Sequence, residues 1–326
     1  MDQFKLPALI AILADGKLHS REFLLQKLVI ELNEFLILIH QLREIGLEIV
    51  INGNNYQLKS PLELLDKQAI FKSMPSDTKK VIKQLEVVNV IDSTNSYLLK
   101  NCKNYRYAGV VCIAEFQTAG RGRLARSWFA PYGINICLSL FWQFKKEAQL
   151  SGLSLVIGLA VRRTLIKYGA PPTILCKWPN DLLYKQAKLA GILIETRISP
   201  ATQQVVIGVG VNLISPLATT NDYLITDLTA IMQQPIARNH LLGLLLNELL
   251  LILIQFEKTG FKPFFAEWQG CDSMIGKKVL LTNARQQYSG LAKGVNENGE
   301  LLLEDQDGKV HSFINGEVSL RLAEKV

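Results

Sequence analysis

At 326 residues the chain can bury substantial cores in two or three domains and is expected to fold unaided. Its net charge of +7 suits an anionic ligand, yet residues 1 to 66 hold six Lys/Arg against nine Asp/Glu, a local balance of −3 that leaves +10 for the rest. Cys102, Cys112, Cys137, Cys176 and Cys271 are odd in number and follow no metal-ligand or redox spacing, so buried reduced thiols of a cytosolic protein are expected; no amino-terminal segment has the make-up of a secretory signal.

From the amino terminus, apolar runs at Leu6 to Leu13 and Phe23 to Leu28, divided by Asp15-Gly16 and by Ser20 as an N-cap, read as two short helices. A third runs from Asn33 to Ile45 and stops at Gly46. Leu47 to Ile51, the turn Asn52-Gly53-Asn54-Asn55 and Tyr56 to Lys59 then read as a hairpin. Three helices and a hairpin predict a winged helix-turn-helix over residues 1 to 62, followed by a helical linker, residues 63 to 80, broken at Ser73-Met74-Pro75. A helix that reads DNA presents polar or basic side chains. Here Phe35, Ile39 and Leu42 form a core stripe that leaves Leu36, Ile37 and Leu38 largely off it. With the local charge of −3, this undercuts phosphate attraction and leaves DNA binding open. The reading adopted is that the Leu36-Ile37-Leu38 surface packs against the chain's own residues 81 to 270 or a partner.

Residues 81 to 270 mix strands and helices without regular βαβ alternation. Val110 to Glu115, Ile174 to Trp178, Ala190 to Arg197 and Gln204 to Leu213 read as strands, and Ser151 to Tyr168 as a helix. The Pro-Asn turn and Lys185-Gln186-Ala187-Lys188 fold neighbouring strands back on each other, which predicts an α+β domain with a mixed, largely antiparallel sheet. Leu241 to Ile254, interrupted by Asn247 and Glu248, is too short to span a membrane and reads as a buried helix. Strands at Lys278 to Thr282, Ser289 to Gly294, Leu301 to Glu304 and Val310 to Phe313, with Asn298-Gly299 and Asp307-Gly308 turns, predict a small SH3-like barrel over residues 271 to 326.

Chemistry concentrates in Gln117-Thr118-Ala119-Gly120-Arg121-Gly122-Arg123, where glycines free the backbone and arginines offer planar forks to phosphate or carboxylate. A solvated basic turn is the structural alternative. A second cluster follows at Lys177-Trp178-Pro179-Asn180-Asp181 and Lys188-Leu189-Ala190-Gly191, although a Pro-Asn-Asp turn needs no function and Trp178 could be core alone. Ser93-Thr94-Asn95 could equally cap a helix starting near Asn95. Gly208-Val209-Gly210-Val211-Asn212 lacks the third glycine and following helix of a dinucleotide fingerprint, and no Walker A lysine pattern occurs.

These four ordered motifs closely resemble the biotin-protein ligases, specifically the bacterial bifunctional ligase and biotin-operon repressor, over nearly the whole chain. The resemblance implies a catalytic sheet like that of class II aminoacyl-tRNA synthetases. It also implies an ATP-dependent enzyme that activates biotin as biotinyl-5′-AMP and transfers it to a lysine of a biotin carboxyl carrier protein. It places biotin against Ser93, Thr94, Asn95, Gln117, Arg121, Gly122, Arg123, Lys188, Gly208 and Gly210, and ATP against Lys177, Asn180, Asp181, Asn212 and Arg321. Lys188, Arg121 and Arg123 would be catalytic, neutralising the carboxylate and the α-phosphate. Asp181 would handle Mg²⁺. Arg321 reads equally well as a solvated strand end. A homodimer joined at sheet edges is implied when adenylate is bound. One departure stands out: where the bacterial pattern often continues as a second Gly/Arg repeat, this chain reads Leu124-Ala125-Arg126, which should stiffen the loop's end. A lipoate-type ligase would not need the Gly-Arg-Gly-Arg loop, and a non-catalytic biotin sensor would not need intact arginines with Lys188.

Overall fold

The computed structural model describes residues 5–215, 224–283, 286–314 and 318–323. The first apolar runs fold as α1 (Lys5–Leu13) and α2 (Arg21–Leu28), with β1 (His19–Ser20) between them. Ser20 caps α2, its Oγ accepting from Phe23 N at 3.2 Å. α3 (Leu32–Glu44) ends just before Gly46, which turns the chain with a φ of 87°. β2 (Ile49–Asn52) and β3 (Asn55–Leu58) then form a hairpin, and the three strands pair in the order β1-β3-β2.

Leu9, Leu13, Leu24, Phe35, Ile39 and Leu42 make the core of this module. One position is corrected. Leu38 stands at i+3 from Phe35, on the same helical stripe, and is buried in that core. Leu36 and Ile37 stay 49% and 43% exposed, so the expected packing of this surface on the chain's own residues 81 to 270 does not occur. The modules meet elsewhere: Tyr132 inserts into the amino-terminal core and donates its backbone N–H to Ile45 O at 3.1 Å.

Residues 63 to 80 form α4 (Lys67–Lys72) and α5 (Ser76–Val81), broken at Ser73-Met74-Pro75 as read from sequence. They are not a free tether. Ile70 and Met74 are buried in the main core, and both helices pack against the long helix α9 described below.

Residues 81 to 270 contribute β4 (Gln84–Ile91), α6 (Thr94–Asn101), β5 (Val110–Gln117), β6 (Ile136–Lys145), α7 (Leu153–Tyr168), β7 (Leu175–Lys177), β8 (Asp181–Tyr184), β9 (Ala187–Ile198), β10 (Thr202–Val211), α8 (Leu228–Met232) and α9 (Arg238–Thr259), and α10 (Phe265–Cys271) follows. Their sheet runs β4-β5-β6-β10-β9-β8-β7, and only β4 with β5 is parallel. The two-residue period of the strands sends Cys112, Phe141 and Val206 toward α6, and Val111, Leu140 and Ile207 toward α7 and α9. α9 is long and apolar enough to cross a membrane, yet most of it is buried against α7 and the sheet.

β11 (Lys278–Asn283), β12 (Gln287–Val295), β13 (Leu301–Glu304), β14 (Val310–Phe313) and β15 (Val318–Leu322) form a five-stranded antiparallel sheet, ordered β14-β13-β12-β11-β15. Its buried face, with Val279, Leu281, Val295 and Leu301, continues the main core, and its Asn298-Gly299 turn is tied to residues 81 to 270: Trp178 Nε1 donates to Gly299 O at 3.2 Å and Ser151 Oγ to Asn298 O at 2.5 Å. All five cysteines are buried and free.

Candidate functional site

A slot opens on the α6 face of β9 and β10. Its floor is glycine because side chains from elsewhere lie directly on the strands. A Cβ at Gly208 would collide with Asn95 Oδ1, and one at Gly210 would come within 2.5 Å of the Trp128 ring. Around this floor the polar groups form one chain of hydrogen bonds. Ser93 Oγ caps α6, accepting from Ser96 N at 3.4 Å, which holds the helix start in place. Thr94 N and Oγ1 donate to Gln117 Oε1 at 2.9 and 3.1 Å. Ser139 Oγ lies 2.7 Å from Thr94 Oγ1 and 2.5 Å from Asn95 Oδ1, and Asn95 Nδ2 donates to Glu195 Oε2 at 2.9 Å. The capping and binding readings of Ser93-Thr94-Asn95 are therefore compatible: the cap fixes the helix that presents Thr94 and Asn95 to the slot.

The Gly/Arg loop closes over one end. Trp128 N donates to Gly120 O at 2.8 Å and Gly122 N to Arg126 O at 2.8 Å, so residues 120 to 128 form a small hairpin-like flap. At its tip Leu124 and Ala125 take φ of 56° and 54°, the left-handed region that glycine occupies without cost. The departure Leu124-Ala125 thus carries backbone strain of about 1 kcal/mol or more per residue. Arg121 NH2 contacts both Glu195 oxygens, at 2.9 and 2.6 Å, and Arg123 NH1 donates to Asn180 Oδ1 at 2.9 Å.

Beyond the flap lies a second, strongly cationic slot, lined by Arg126, Lys177, Asp181 and Lys188 together with Ser319 and Leu320 of β15. Gly122, Arg123, Trp128, Asn180 and Lys188 line both slots. Lys188 Nζ lies 2.7 Å from Asp181 Oδ1 and sits over the Trp128 ring at 5.8 Å. Asp181 is the one acid among the described residues lining either slot. Burial holds the Lys177 ammonium below the ordinary lysine value, with Asp181 opposing the shift and Lys188, Arg321 and Arg126 adding to it. Burial likewise lowers Arg123, again opposed by Asp181. An anion entering this slot would relieve both groups.

Most residues singled out from sequence meet here: Ser93, Thr94, Asn95, Gln117, Arg121, Gly122, Arg123, Lys188, Gly208 and Gly210 line the first slot, and Lys177, Asn180 and Asp181 the second. Asn212 and Arg321 line neither. Asn212 is buried, and its Nδ2 donates to Lys188 O and Thr226 O at 3.4 and 3.3 Å, fixing the backbone that carries Lys188. Arg321 is exposed on β15, beside the lining residues Ser319 and Leu320 and close enough to act on Lys177 electrostatically. Trp178 is wholly buried, yet it also borders the second slot. Sequence reading missed Trp128, Arg126, Ser139 and Glu195. Ser139, a hydroxyl within the apolar run Ile136 to Phe141, was the legible signal; Glu195 was not, since only the fold brings it to Arg121.

A slot of hydroxyls and amides bordered by Arg121, Arg123 and Lys188, joined to a second cationic slot, suits a ligand with a polar head and an acidic tail, next to a phosphorylated second ligand. Comparison with known proteins agrees. Residues 87–212 match the Biotin/lipoate A/B protein ligase family and residues 274–321 the Biotin protein ligase C terminal domain. The chain is 37% identical to the bifunctional ligase/repressor BirA of Escherichia coli, over 97% of both chains. It is 35% identical to the biotin--[acetyl-CoA-carboxylase] ligase of Mycobacterium tuberculosis, over 68% of this chain and 84% of that one. Among solved structures, biotin protein ligase from Aquifex aeolicus in complex with biotin and ATP superimposes with a TM-score of 0.64 at 27% identity, covering 74% of this chain and all of that one. Identity at that level across nearly the full length, with both slots inside the matched region, shows that the chain belongs to the biotin protein ligase family.

Proposed function

We propose that the first slot holds biotin and the second the ATP phosphates, with Arg123, Asn180 and Lys188 standing where the two reactants meet. The observation that supports this is the shared wall: the residues common to both slots include two cations, where a carboxylate oxygen must approach the α-phosphorus against charge repulsion. Thr94, Asn95, Gln117 and Ser139 match the donors and acceptors of a ureido ring. Attack of the carboxylate on phosphorus forms biotinyl-5′-AMP and expels pyrophosphate, whose charge Lys177 and Arg126 face. A lysine amine of the biotin carboxyl carrier protein then attacks the acyl carbon, loses a proton and releases AMP.

Arg121 braces the flap through Glu195 in this arrangement, so its part is to keep the adenylate enclosed. Asn212 and Arg321 belong to the nucleotide end, the first by shaping the Lys188 backbone and the second by its charge. Mg²⁺ would be held by Asp181 together with the nucleotide phosphates, and would neutralise phosphate charge there. The flap's Gly-Arg-Gly-Arg run favours this chemistry over a lipoate-type ligase, and intact Lys188 favours an enzyme over a sensor. Biotin-dependent pyrophosphate release by the purified chain, without any carrier, tests the assignment.

The same reading divides the chain into residues 1–62, a winged helix-turn-helix; 63–80, the connecting segment; 81–270, the catalytic domain of class II synthetase type; and 271–326, an SH3-like domain. The Escherichia coli relative is a bifunctional ligase/repressor. Operator binding by this chain is expected to be weak, because α3 offers Leu32, Leu36 and Ile37 to a groove and its module, with six Lys/Arg against seven Asp/Glu, carries no net positive charge. Dimerisation on adenylate binding, through sheet edges, completes the proposal.

A further inference from the structure

Away from both slots, the structure contains a buried polar knot that joins the nucleotide end of the site to the segment leading from the amino-terminal module. Asn135, just before β6, is 3% exposed. Its Oδ1 accepts from Leu213 N at 2.8 Å and Ile214 N at 3.2 Å, the two residues that follow Asn212. Its backbone oxygen accepts from Arg238 Nε and NH2 at 3.1 and 2.9 Å. Arg238, also 3% exposed, forms an ion pair with Glu115, whose Oε1 accepts from Leu65 N at 2.5 Å.

The knot closes on Glu63. α9 starts at Arg238 with Ala237 as its N-cap, which has no side chain to satisfy the first N–H groups. Glu63 supplies that function from the connecting segment: its carboxylate accepts from Arg238 N, and from Asn239 N and Nδ2 at 3.2 and 2.9 Å. An anion at a helix amino terminus is favourable in its own right. The position of Arg238, and through it that of Asn135, therefore depends on a residue outside the catalytic sheet.

We propose that Asn135 is a positioning residue for the nucleotide end of the site, and that Glu63 sets it through Arg238. The connecting segment then tunes how tightly adenylate is retained. The inference rests on the reading that Asn212 and the chain just after it border the nucleotide. The bond to Leu213 N is buried, so its loss leaves an unpaired donor at the start of that segment rather than exchanging it for water; the bond to Ile214 N is partly solvated and adds less.

The test uses the full chain. Asn135→Leu, which removes the acceptor at similar volume, is expected to raise biotinyl-adenylate release and the ATP KM about tenfold while leaving the biotin Kd within about twofold. Asn135→Asp keeps an oxygen opposite both N–H groups and is expected to restore retention to within about threefold of the parent. Glu63→Gln, measured on folded protein, should raise adenylate release about threefold, and its effect should largely vanish in the Asn135→Leu background. Normal release from folded Asn135→Leu overturns the proposal. So does an equal loss of biotin and ATP affinity that Asp does not rescue, and, should the Leu variant not fold, unchanged release from Glu63→Gln. Asn212→Ala separates the two levels: unchanged ATP binding in that variant refutes the nucleotide assignment, whatever Asn135 does.

Discussion

Replacing Lys188 with alanine probes the proposed chemistry most sharply, because this ammonium stands on the wall shared by both slots, 2.7 Å from Asp181 and over the Trp128 ring. Loss of one preorganised group aimed at developing charge costs about 10²- to 10³-fold in rate. A second effect follows from the ion pair. Without Lys188 the Asp181 carboxylate is left facing the incoming α-phosphate, and two unit charges about 4 Å apart at an effective dielectric near 20 repel by at most about 4 kcal/mol. Both side chains are partly solvated, 16% and 21% exposed, and Lys177 remains close to Asp181, so about a further tenfold is the expected share. Biotin-dependent pyrophosphate release should therefore fall about 10³- to 10⁴-fold. The fold should lose no more than about 2 kcal/mol, since a partly solvated pair contributes little. Lys188→Arg keeps a cation beside Asp181 and should lose about tenfold less rate than Lys188→Ala. Single-turnover release with melting curves for both variants decides it. Near-normal release from folded Lys188→Ala, or an equal loss in Lys188→Arg, would refute the reasoning.

Arg121→Gly breaks the brace to Glu195 and should let the flap open, so that biotinyl-adenylate escapes and labels nearby lysines at random; retention equal to the parent would show that the flap is not a lid. Gly210→Ala places a Cβ within 2.5 Å of Trp128 and should raise the biotin KM at least about tenfold with little change in melting temperature; an unchanged KM would remove Trp128 and Gly210 from the biotin slot. For the amino-terminal module, a salt-titrated binding assay against biotin operator and scrambled duplex, with biotin and ATP present, should show little sequence preference. A specificity ratio of about a thousandfold or more would restore operator recognition.

What the sequence made legible was whatever depends on local chemistry. The Ser20 cap, the stop at Gly46, the break at Ser73-Met74-Pro75 and the strands at Leu301–Glu304 and Val310–Phe313 each follow from a short stretch and stand where they were expected. The candidate residues from Ser93 to Gln117 and from Arg121 to Lys188 likewise converge, because their motifs fall at the ends of strands that share one sheet. β6 escaped notice since almost every residue from Ile136 to Phe144 is buried, which erases the two-residue alternation that marks a half-exposed strand. Leu38 was misplaced because the stripe was taken at i, i+4 and i+7 without its i+3 member. Glu195, Glu63 and Arg238 could not have been read at all. Their partners lie 74 to 176 residues away, and nothing in their local sequence distinguishes a buried anchor from a solvated charge.

Intact-mass measurement of a biotin carboxyl carrier domain incubated with the purified chain, biotin and MgATP tests the ligase assignment most directly. A single biotinyl adduct on one carrier lysine is expected, dependent on ATP, absent with Lys188→Ala and undiminished by excess lipoate or octanoate. An unmodified carrier, or one that takes up the fatty acid in place of biotin, would contradict it.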